Sequence, residues 1–269
     1  MQIIKKWEVK QRLKEIERRL YWGGSVGRKD LMARFGISPQ QASTDLKNYI
    51  NLADEMVEFQ SSTKRYIPTP KFKPTLIDTS LDAYSSWVET TEHAISSVPV
   101  PLRSASKDVL RDISRAIHQK ASVEITYRSL SNSKGAERRI SPHSIVNSGA
   151  RHHVRAYCHK RKDFRDFVLG RILTTKNLEK QEKNKNEDLK WNTLVVVRIG
   201  AHPGLTSSQR EVIESDFSMV NGEAQFRIRQ ALLFYFLDQF SLDGNESKLS
   251  SVGQQIVLLN PEIISLTKA

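Results

Sequence analysis

Residues 28–50 of the chain read RKDLMARFGISPQQASTDLKNYI. The first part, Arg28 to Phe35, has the apolar spacing of a short amphipathic helix, and Gly36 follows where glycine often ends one. Ser38-Pro39 matches an N-cap residue followed by proline at the first helical position, so a second helix is expected from Pro39 to about Leu52. Two helices joined by a short glycine-containing turn predict a helix-turn-helix.

The second helix has a polar face on which Asp45 is the only carboxylate. Its Gln, Ser, Thr and Lys side chains are types that hydrogen-bond to base edges or phosphates in the major groove of DNA. Two short strands, Met56–Gln60 and Arg65–Ile67, are expected next, and their basic turn would form a wing. We predict that DNA is contacted by the following polar and basic side chains: Arg28, Ser38, Gln40, Gln41, Ser43, Thr44, Lys47, Lys64 and Arg65.

The positive charge of the chain is concentrated in two blocks. Its 269 residues include 42 basic and 30 acidic ones, a formal net charge of +12. Residues 1–75 carry +7 and residues 120–190 carry +9, whereas 76–119 and 191–269 carry −2 each. This segregation predicts two regions that face anions, the first being a DNA-binding domain at 1–75. An ordinary helical subdomain with a solvated basic surface is the alternative.

The cysteine count and the length of the apolar runs indicate the cellular compartment of the protein. Cys158 is the only cysteine, so the chain has no internal disulfide, which fits a reducing cytoplasm. The longest apolar run, Ala231 to Leu237, is far shorter than the ~20 residues that span a membrane, and the N-terminus lacks the apolar core of a signal peptide. We expect a cytoplasmic protein with no membrane partner.

A near-neutral helical connector is expected at 76–120. It follows Pro68, Pro70 and Pro74, which favour an extended chain. Apolar periodicity predicts helices over Asp78–Ser96 and Ser104–Lys120. Their composition indicates packing rather than a chemical site.

Period-two alternation begins at Val123 and predicts a small β-barrel or strongly bent sheet. In its third strand, the even positions such as Val154 are mostly apolar, whereas His153, Arg155 and Tyr157 alternate on the other face. Arginine and aromatic side chains on one face suit a phosphate-bearing ligand. The expected strands are Val123–Arg128, Arg138–Asn147, His152–His159 and Phe164–Ile172.

This segment resembles a WYL domain. The resemblance is carried by the runs Arg139–Val146, His152–Cys158 and Phe164–Ile172, although His152-His153-Val154 stands where the Trp-Tyr-Leu triplet would be. With the winged helix-turn-helix, nearly the whole chain resembles the BrxR/CapW group of WYL transcription factors.

The resemblance implies a Sm-like β-barrel at 121–180 and a C-terminal extension at 190–269 that serves in dimerisation. It also implies a nucleotide or nucleic-acid ligand and regulation of bacterial anti-phage defence operons. The residues that would bind the ligand are Tyr127, Ser141, His143, His153, Arg155, Tyr157, Arg165 and Arg171.

The C-terminal segment follows a charged loop at 180–190. Its aromatic residues fit a buried core and a dimer interface about equally. Together these segments predict an α+β protein with a winged helix-turn-helix, a helical connector, a WYL barrel and a small α/β dimerisation domain. The elements expected in the C-terminal segment are strands at Trp191–Ile199, Glu223–Arg229 and Ile256–Leu259, and helices at Leu205–Asp216 and Ala231–Phe240.

The residues give little support to an enzymatic function or a metal site. The nucleotide-binding and zinc-protease motifs are absent from the sequence, and Cys158 alternates away from His153 and His159, which disfavours a metal site. A nuclease is the main enzymatic alternative, and it would need a carboxylate cluster for Mg²⁺. Residues 120–172 offer only Glu124, Glu137, Asp163 and Asp166 for that purpose. We expect no enzymatic activity, no metal and no cofactor.

The sequence thus predicts a homodimeric repressor of a defence operon. Its partners would be double-stranded operator DNA with an inverted repeat and an anionic nucleotide or oligonucleotide effector that releases it. The alternative is a WYL-type nucleic-acid-binding accessory module that acts on a defence enzyme rather than on a promoter.

Overall fold

The computed structural model describes residues 7–88, 105–149, 151–180 and 183–267. Helices and antiparallel strands are mixed along the chain, as the α+β prediction required. The chain divides into two compact units, 1–99 and 100–269, so the predicted connector contributes one helix to each. No helix in these described ranges is long and apolar enough to cross a membrane.

The first unit is a three-helix cluster followed by a two-stranded hairpin. The strands pair from Val57↔Pro68 to Gln60↔Arg65, and a bridge between Val26 and Tyr66 extends this small sheet. The elements are α1 (Trp7–Gly23), α2 (Arg28–Phe35), α3 (Pro39–Ala53), β1 (Val57–Gln60), β2 (Arg65–Pro68) and α4 (Leu81–Val88).

The turn between α2 and α3 forms as its sequence predicts. Gly36 has φ 62° and donates its N–H to the Met32 carbonyl, a left-handed cap that favours glycine. Ser38 caps α3 by accepting from the Gln41 N–H at 3.2 Å. Apolar side chains from all three helices, including Leu13, Leu31 and Leu46, then form one buried core.

Glu17 is a buried carboxylate that ties α1 to the rest of the first unit. It is 1% exposed and accepts from the Tyr49 hydroxyl at 2.9 Å. It also accepts from the backbone N–H groups of Leu76 and Ile77 at 2.6 and 3.0 Å. Burial and the Glu17 charge together raise the pKa of Tyr49 far above its usual value. One carboxylate therefore positions both α3 and the segment that follows the wing.

The helix predicted over Asp78–Ser96 begins at Leu81, because Ser80 accepts from the Ala83 N–H, and it is described to Val88; residues 89–96 lie outside the described residues. Its Trp87 packs on Trp22 of α1, with ring centroids 5.5 Å apart. The Trp87 indole N–H also lies 3.2 Å from the buried Glu15 carboxylate. This helix therefore belongs to the first unit by its contacts.

The second unit opens with a helix packed on a five-stranded antiparallel sheet. These elements are α5 (Lys107–Gln119), β3 (Ala121–Ser129), β4 (Asn132–Asn147), β5 (His152–Cys158), β6 (Asp163–Val168) and β7 (Ile172–Lys180). The strand order is β6-β5-β4-β3-β7, and no pairing of β6 with β7 is found within the described ranges. The sheet is therefore not closed into a barrel by the pairs the structure shows.

Two details of the predicted strands are wrong. The strand expected over Phe164–Ile172 is interrupted by a 3₁₀ turn at Leu169–Arg171, and a fifth strand continues to Lys180. Leu169 and Ile172 are both buried in the core, so the apolar alternation runs through the turn without marking it. β4 also begins at Asn132, before the first apolar residue of the predicted strand.

One face of this sheet is covered by α5. Val109, Ile113 and Ala116 of the helix pack against alternate strand residues such as Ile140 and Val154. Cys158 is buried in the same core. The even positions of β5 are therefore the core face, as the alternation predicted.

The opposite face of the sheet is covered by C-terminal residues. His153, 3% exposed, packs against Tyr235 with ring centroids 4.6 Å apart. Burial lowers the pKa of His153 below its ordinary 6.5; the Asp166 charge opposes this shift, and three neighbouring basic groups add to it. Those groups are Arg151, Arg171 and His152.

The rest of the second unit is a three-stranded sheet with helices over a separate core. The elements are α6 (Leu189–Asn192), β8 (Leu194–Ala201), α7 (Ser207–Asp216), β9 (Ala224–Arg229), α8 (Leu233–Gln239) and β10 (Ile256–Leu258). The strand order is β10-β8-β9, and Val197, Ile199 and Leu233 are central to the core. Trp191 lies in α6 rather than in the predicted strand, because Asp188 caps that helix by accepting from the Trp191 N–H.

Replacing Glu17 with alanine should destabilise the first unit by about 3 kcal/mol, because several donors lose a charged acceptor in a buried place. The measurement is urea unfolding followed by tryptophan fluorescence in a Trp191→Phe background, in which every remaining tryptophan lies in the first unit. Glu8→Ala is the matched control, because Glu8 is exposed on the same helix. Equal stability of the two variants would contradict the role given to Glu17.

His153 should make the second unit less stable in mild acid. Below pH 6.5 the unfolded chain takes up a proton that folded His153 resists, so the free energy of unfolding falls as the pH drops from 6.5 towards the folded pKa. We expect a loss on the order of 1 kcal/mol between pH 7.5 and 5.5. In His153→Phe this loss should shrink, whereas the exposed-neighbour control His152→Gln should keep it. Parallel pH profiles for wild type and His153→Phe would rule the mechanism out.

Candidate DNA-binding surface and anion site

A groove of about 450 Å³ in the first unit brings three of the predicted DNA contacts together. Arg28 from the start of α2, Ser43 from α3 and Lys64 from the wing line it, with Ser61 beside them. Gln40, Thr44 and Lys47 are exposed on α3. Helix and wing thus present donors in one region, as a surface that grips a phosphate backbone requires.

Five of the predicted contacts make hydrogen bonds within the fold, and three of these bonds cap a helix or reach a carboxylate. Ser38 caps α3, and the Gln41 amide donates to Asp45 at 3.1 Å. Arg65 donates to Asp30 at 2.6 Å and to the Ser25 hydroxyl at 2.8 Å, which holds the wing against the start of α2. These side chains shape the surface, and their contact with DNA stays a prediction.

The hydroxyls of Ser43 and Thr44 donate to backbone carbonyls one turn earlier in α3, at 2.9 and 3.0 Å. Each hydroxyl oxygen can still accept a hydrogen bond, but its proton is already donated within the helix. Lys47, Lys64 and Arg28 are therefore the side chains on this surface best suited to reach phosphates.

Asp45 does not place negative charge on the recognition surface. It is 1% exposed and receives the Arg12 guanidinium of α1 at 2.7 Å. It is the only carboxylate between Pro39 and Ala53. The outward face of α3 is therefore free of carboxylates, which favours a polyanion partner.

The predicted ligand-binding residues are divided between the two faces of the five-stranded sheet. His153, Arg155 and Tyr157 alternate on the face away from α5, and Ser141 pairs with Tyr157 there. Tyr127 lies in the α5 core, where its hydroxyl accepts from the Val168 N–H at 3.2 Å. Arg165 pairs with Ala156, whose side chain is in the core, so it projects from the α5 side. The sheet does not bring the two arginines Arg155 and Arg165 together.

Arg155 is the centre of the buried polar cluster on the face away from α5. Its Nε donates to one oxygen of Asp188 at 2.7 Å and its Nη2 to the other at 3.0 Å. Its Nη1 donates to Asp166 at 3.3 Å. The side chains of Arg155 and Asp188 are 6% and 1% exposed, so this is a bidentate ion pair withdrawn from water.

His143 completes the cluster from a β-bulge in β4. The register between β4 and β5 shifts between Pro142 and Ser144, which turns His143 towards Asp188 at 3.1 Å. Burial acts to raise the pKa of Asp188, but the bonds from His143 and Arg155 outweigh it and hold that pKa well below its usual range. The Asp188 carboxylate is therefore ionised, and the sheet face supplies its counter-charge.

Ser141 and Tyr157 lie beside this cluster and are engaged elsewhere. The Ser141 hydroxyl is within 2.8 Å of both the Ser122 hydroxyl and His159 Nε2. The ring of Tyr157 packs edge-on against His159 and Phe164. These contacts build a polar and aromatic wall next to Arg155.

Arg171 lies in the 3₁₀ turn after β6 and is half-exposed. It is close enough to His153 to depress that pKa. Asp166, which faces Arg155, also accepts from the Tyr235 hydroxyl of α8 at 2.9 Å. The network thus extends from the sheet into the C-terminal elements.

Asp188 and Tyr235 are the functional candidates that the sequence did not reveal. They lie 33 and 80 residues beyond Arg155, and nothing in their local pattern links them to it. The one usable signal was the Asp-Leu-Lys-Trp run, since an aspartate three residues before a tryptophan N–H suits an N-cap.

The described residues contain no group of three or more His, Cys, Asp or Glu side chains placed to hold a metal ion. Asp163 and Asp166, raised above for a nuclease, point to opposite faces because they pair with Cys158 and Arg155.

Three family models match successive parts of the chain. The winged helix-turn-helix domain of the BrxR transcriptional regulator matches residues 8–90, the WYL domain matches 108–176, and the C-terminal dimerization domain of the BrxR transcriptional regulator matches 194–264. A superposition on proteasome accessory factor B/C of Arthrobacter aurescens covers 97% of this chain and 47% of that one, at 14% identity and a TM-score of 0.26, which is too weak to bear on fold or function.

Full-length relatives are more similar. The DNA-binding transcriptional repressor CapW of Escherichia coli strain KTE188 is 38% identical over 98% of this chain and 93% of the relative. The repressors of that name from Pseudomonas aeruginosa and Stenotrophomonas maltophilia are 36% and 33% identical, each over 96% of this chain and 91% of the relative. With all three domains matched in order, this chain belongs to the BrxR/CapW family of DNA-binding transcriptional repressors.

Proposed function

We propose that this protein is a homodimeric repressor of a bacterial anti-phage defence operon, and that an anionic nucleotide or oligonucleotide releases it from its operator. The observation that carries DNA recognition is the groove where Arg28, Ser43 and Lys64 meet beside the exposed polar side of α3. A helix and a basic wing at one surface suit one major groove and its flanking phosphates. The predicted DNA contacts and the boundaries at 75, 120 and 190 are part of this proposal.

Dimerisation is supported by the C-terminal sheet and by the family model that matches it. Val197 and Ile199 of β8 face the core, so the alternate residues Leu194 and Val196 lie on the other face, where they are 58% and 38% exposed. Exposed apolar side chains on a sheet face suit a second copy of the chain. A two-fold dimer implies an operator with inverted half-sites.

The effector site is proposed on the sheet face that carries Arg155. Arginine forks match phosphate oxygens, and Tyr157 and Phe164 offer aromatic surface nearby for a base. The Sm-like barrel belongs to this proposal as well. It is supported by one helix followed by five antiparallel strands with the first strand, β3, between β4 and β7.

The experiment that tests this function is a footprint of the purified protein on DNA upstream of its own operon, with and without short oligonucleotides. Protection of an inverted repeat that oligonucleotides abolish is expected. Binding without sequence preference would instead favour an accessory module that acts on a defence enzyme.

Lys47→Ala and Lys64→Ala should each weaken operator binding. If each lysine neutralises one phosphate, the slope of log K against log salt should become shallower by about one unit per variant. Fluorescence anisotropy at several salt concentrations measures the slope. Lys134→Ala, an exposed lysine of the second unit, is the control and should keep the wild-type slope. An unchanged slope removes the tested lysine from the contact surface.

Arg171→Ala should leave operator affinity within about twofold of wild type while weakening release by the effector. The physical reason is that half-exposed Arg171 supplies positive charge beside the buried cluster and lies in the other compact unit from the DNA-binding residues. Release is measured by adding increasing oligonucleotide to the preformed operator complex. Loss of operator binding by a folded variant would place the sheet on the DNA.

A further inference from the structure

The arginine expected to bind an anionic effector already holds an anion of the chain itself. Asp188 meets Arg155 with both oxygens, at 2.7 and 3.0 Å, and His143 adds a contact at 3.1 Å. A planar carboxylate held by a guanidinium fork presents two oxygens in the way that a phosphate group does. An anionic group that binds this fork would therefore have to compete with the Asp188 carboxylate.

A cavity of about 430 Å³ reaches the cluster through His143. His143 belongs both to the cavity wall and to the set of groups around Asp188. The cavity is in the size range of small-ligand sites, and its remaining polar lining consists of cationic or amide side chains. These side chains are Lys120, Asn184, Lys185 and Asn186.

The cluster also keeps unused hydrogen-bonding capacity. Within the described residues, the Trp191 indole N–H is buried without an acceptor, although its ring lies edge-on to His143 with centroids 5.1 Å apart. A buried donor without a partner costs free energy that an incoming acceptor would recover. An anion is such an acceptor.

We propose that Asp188 is an internal counter-ion, and that a phosphate group of the effector enters through the cavity beside Lys120 and Lys185 and displaces it from Arg155 and His143. This inference rests on the proposed effector site and adds the identity of the group that must leave. No bond is made or broken in the exchange. The phosphate takes the arginine fork, and the released carboxylate moves to water beside the exposed residues 184–187.

The position of Asp188 connects this exchange to the C-terminal elements. Its side chain caps α6 through the Trp191 N–H at 3.1 Å. On the other side, the Trp191 carbonyl accepts from Arg229 of β9 at 2.6 Å, and the Arg229 guanidinium lies 4.8 Å from the centre of the Trp191 ring. Displacing Asp188 uncaps α6, whose only turn is also the contact with β9. The effector therefore binds the two arrangements of this segment with different affinities, which a population shift requires.

The first test measures the binding of inorganic pyrophosphate by isothermal titration calorimetry, at constant ionic strength set with chloride. Asp188→Asn and Asp188→Ser remove the competing charge, and both replacements are good helix N-caps. Each should bind pyrophosphate about tenfold more tightly than wild type, within the range of ordinary coupling between sites. Glu187→Gln is the control, because it removes the same charge one residue earlier at an exposed position and should bind as wild type does.

Equal affinities of wild type and the Asp188 variants would overturn the proposal, and so would absence of binding by folded Asp188→Asn. Tighter binding that Glu187→Gln reproduces would reduce the effect to general electrostatics and would also overturn it. Adding Arg155→Gln to Asp188→Asn should abolish the gain, which shows whether the anion occupies the arginine fork.

A second measurement uses the wild-type chain and does not depend on a variant that folds. Hydrogen–deuterium exchange of the peptide containing residues 183–192 should speed up at saturating pyrophosphate, because the Trp191 N–H loses its acceptor. Unchanged or slower exchange while pyrophosphate is bound would exclude displacement of Asp188. Neither readout involves DNA, so failure of the operator experiments leaves this test intact, and failure of this test leaves operator binding untouched.

Discussion

Within each compact unit, a carboxylate that is withdrawn from water holds several elements together. A buried charge is tolerated only when it is paired and hydrogen-bonded, so each such group demands donors at defined positions. Glu17 accepts hydrogen bonds from Tyr49 and from the backbone after the wing. Asp188 is bonded to Arg155 and His143 and to the backbone of α6. Apolar contacts would tolerate small shifts of these elements, but a bidentate ion pair does not.

The same constraint explains how a strongly basic chain manages its charge. Asp45 and Asp30 are drawn into the first unit by Arg12 and Arg65, which leaves the outward side of α3 and the wing with polar and basic groups. In the second unit Arg155 is neutralised by Asp188 and Asp166 rather than left open. The first positive block thus exposes basic side chains near α3 and the wing, whereas the central arginine of the second block is buried and paired with carboxylates.

Prediction succeeded where the determining interactions are local. The helix-turn-helix follows from Gly36, which takes the left-handed conformation, and from Ser38, whose side chain caps α3 by accepting from the N–H three residues later. The core face of β5 followed from period-two alternation. The fifth strand was missed because the 3₁₀ turn before it keeps Leu169 and Ile172 buried, so the apolar pattern carries no sign of the break.

The binding face shows the limit of such reasoning. Alternation correctly put His153, Arg155 and Tyr157 on one side of β5, but it cannot say how neighbouring strands are registered. The structure places Tyr127 and Arg165 on the opposite face of the sheet from Arg155. The bulge that turns His143 towards Asp188 is a further irregularity that no period reveals.

The sequence by itself determined the helix-turn-helix and the amphipathic faces, because capping and alternation act over a few residues, and the family followed from the resemblance of its runs to known domains. Only the tertiary structure decided that Arg155 is paired with Asp188, that Arg65 braces the wing and that Tyr235 closes over His153. The reason is physical: whether a charged side chain faces solvent or a partner depends on which distant residue the fold brings within about 3 Å of it, and local pattern does not encode that distance.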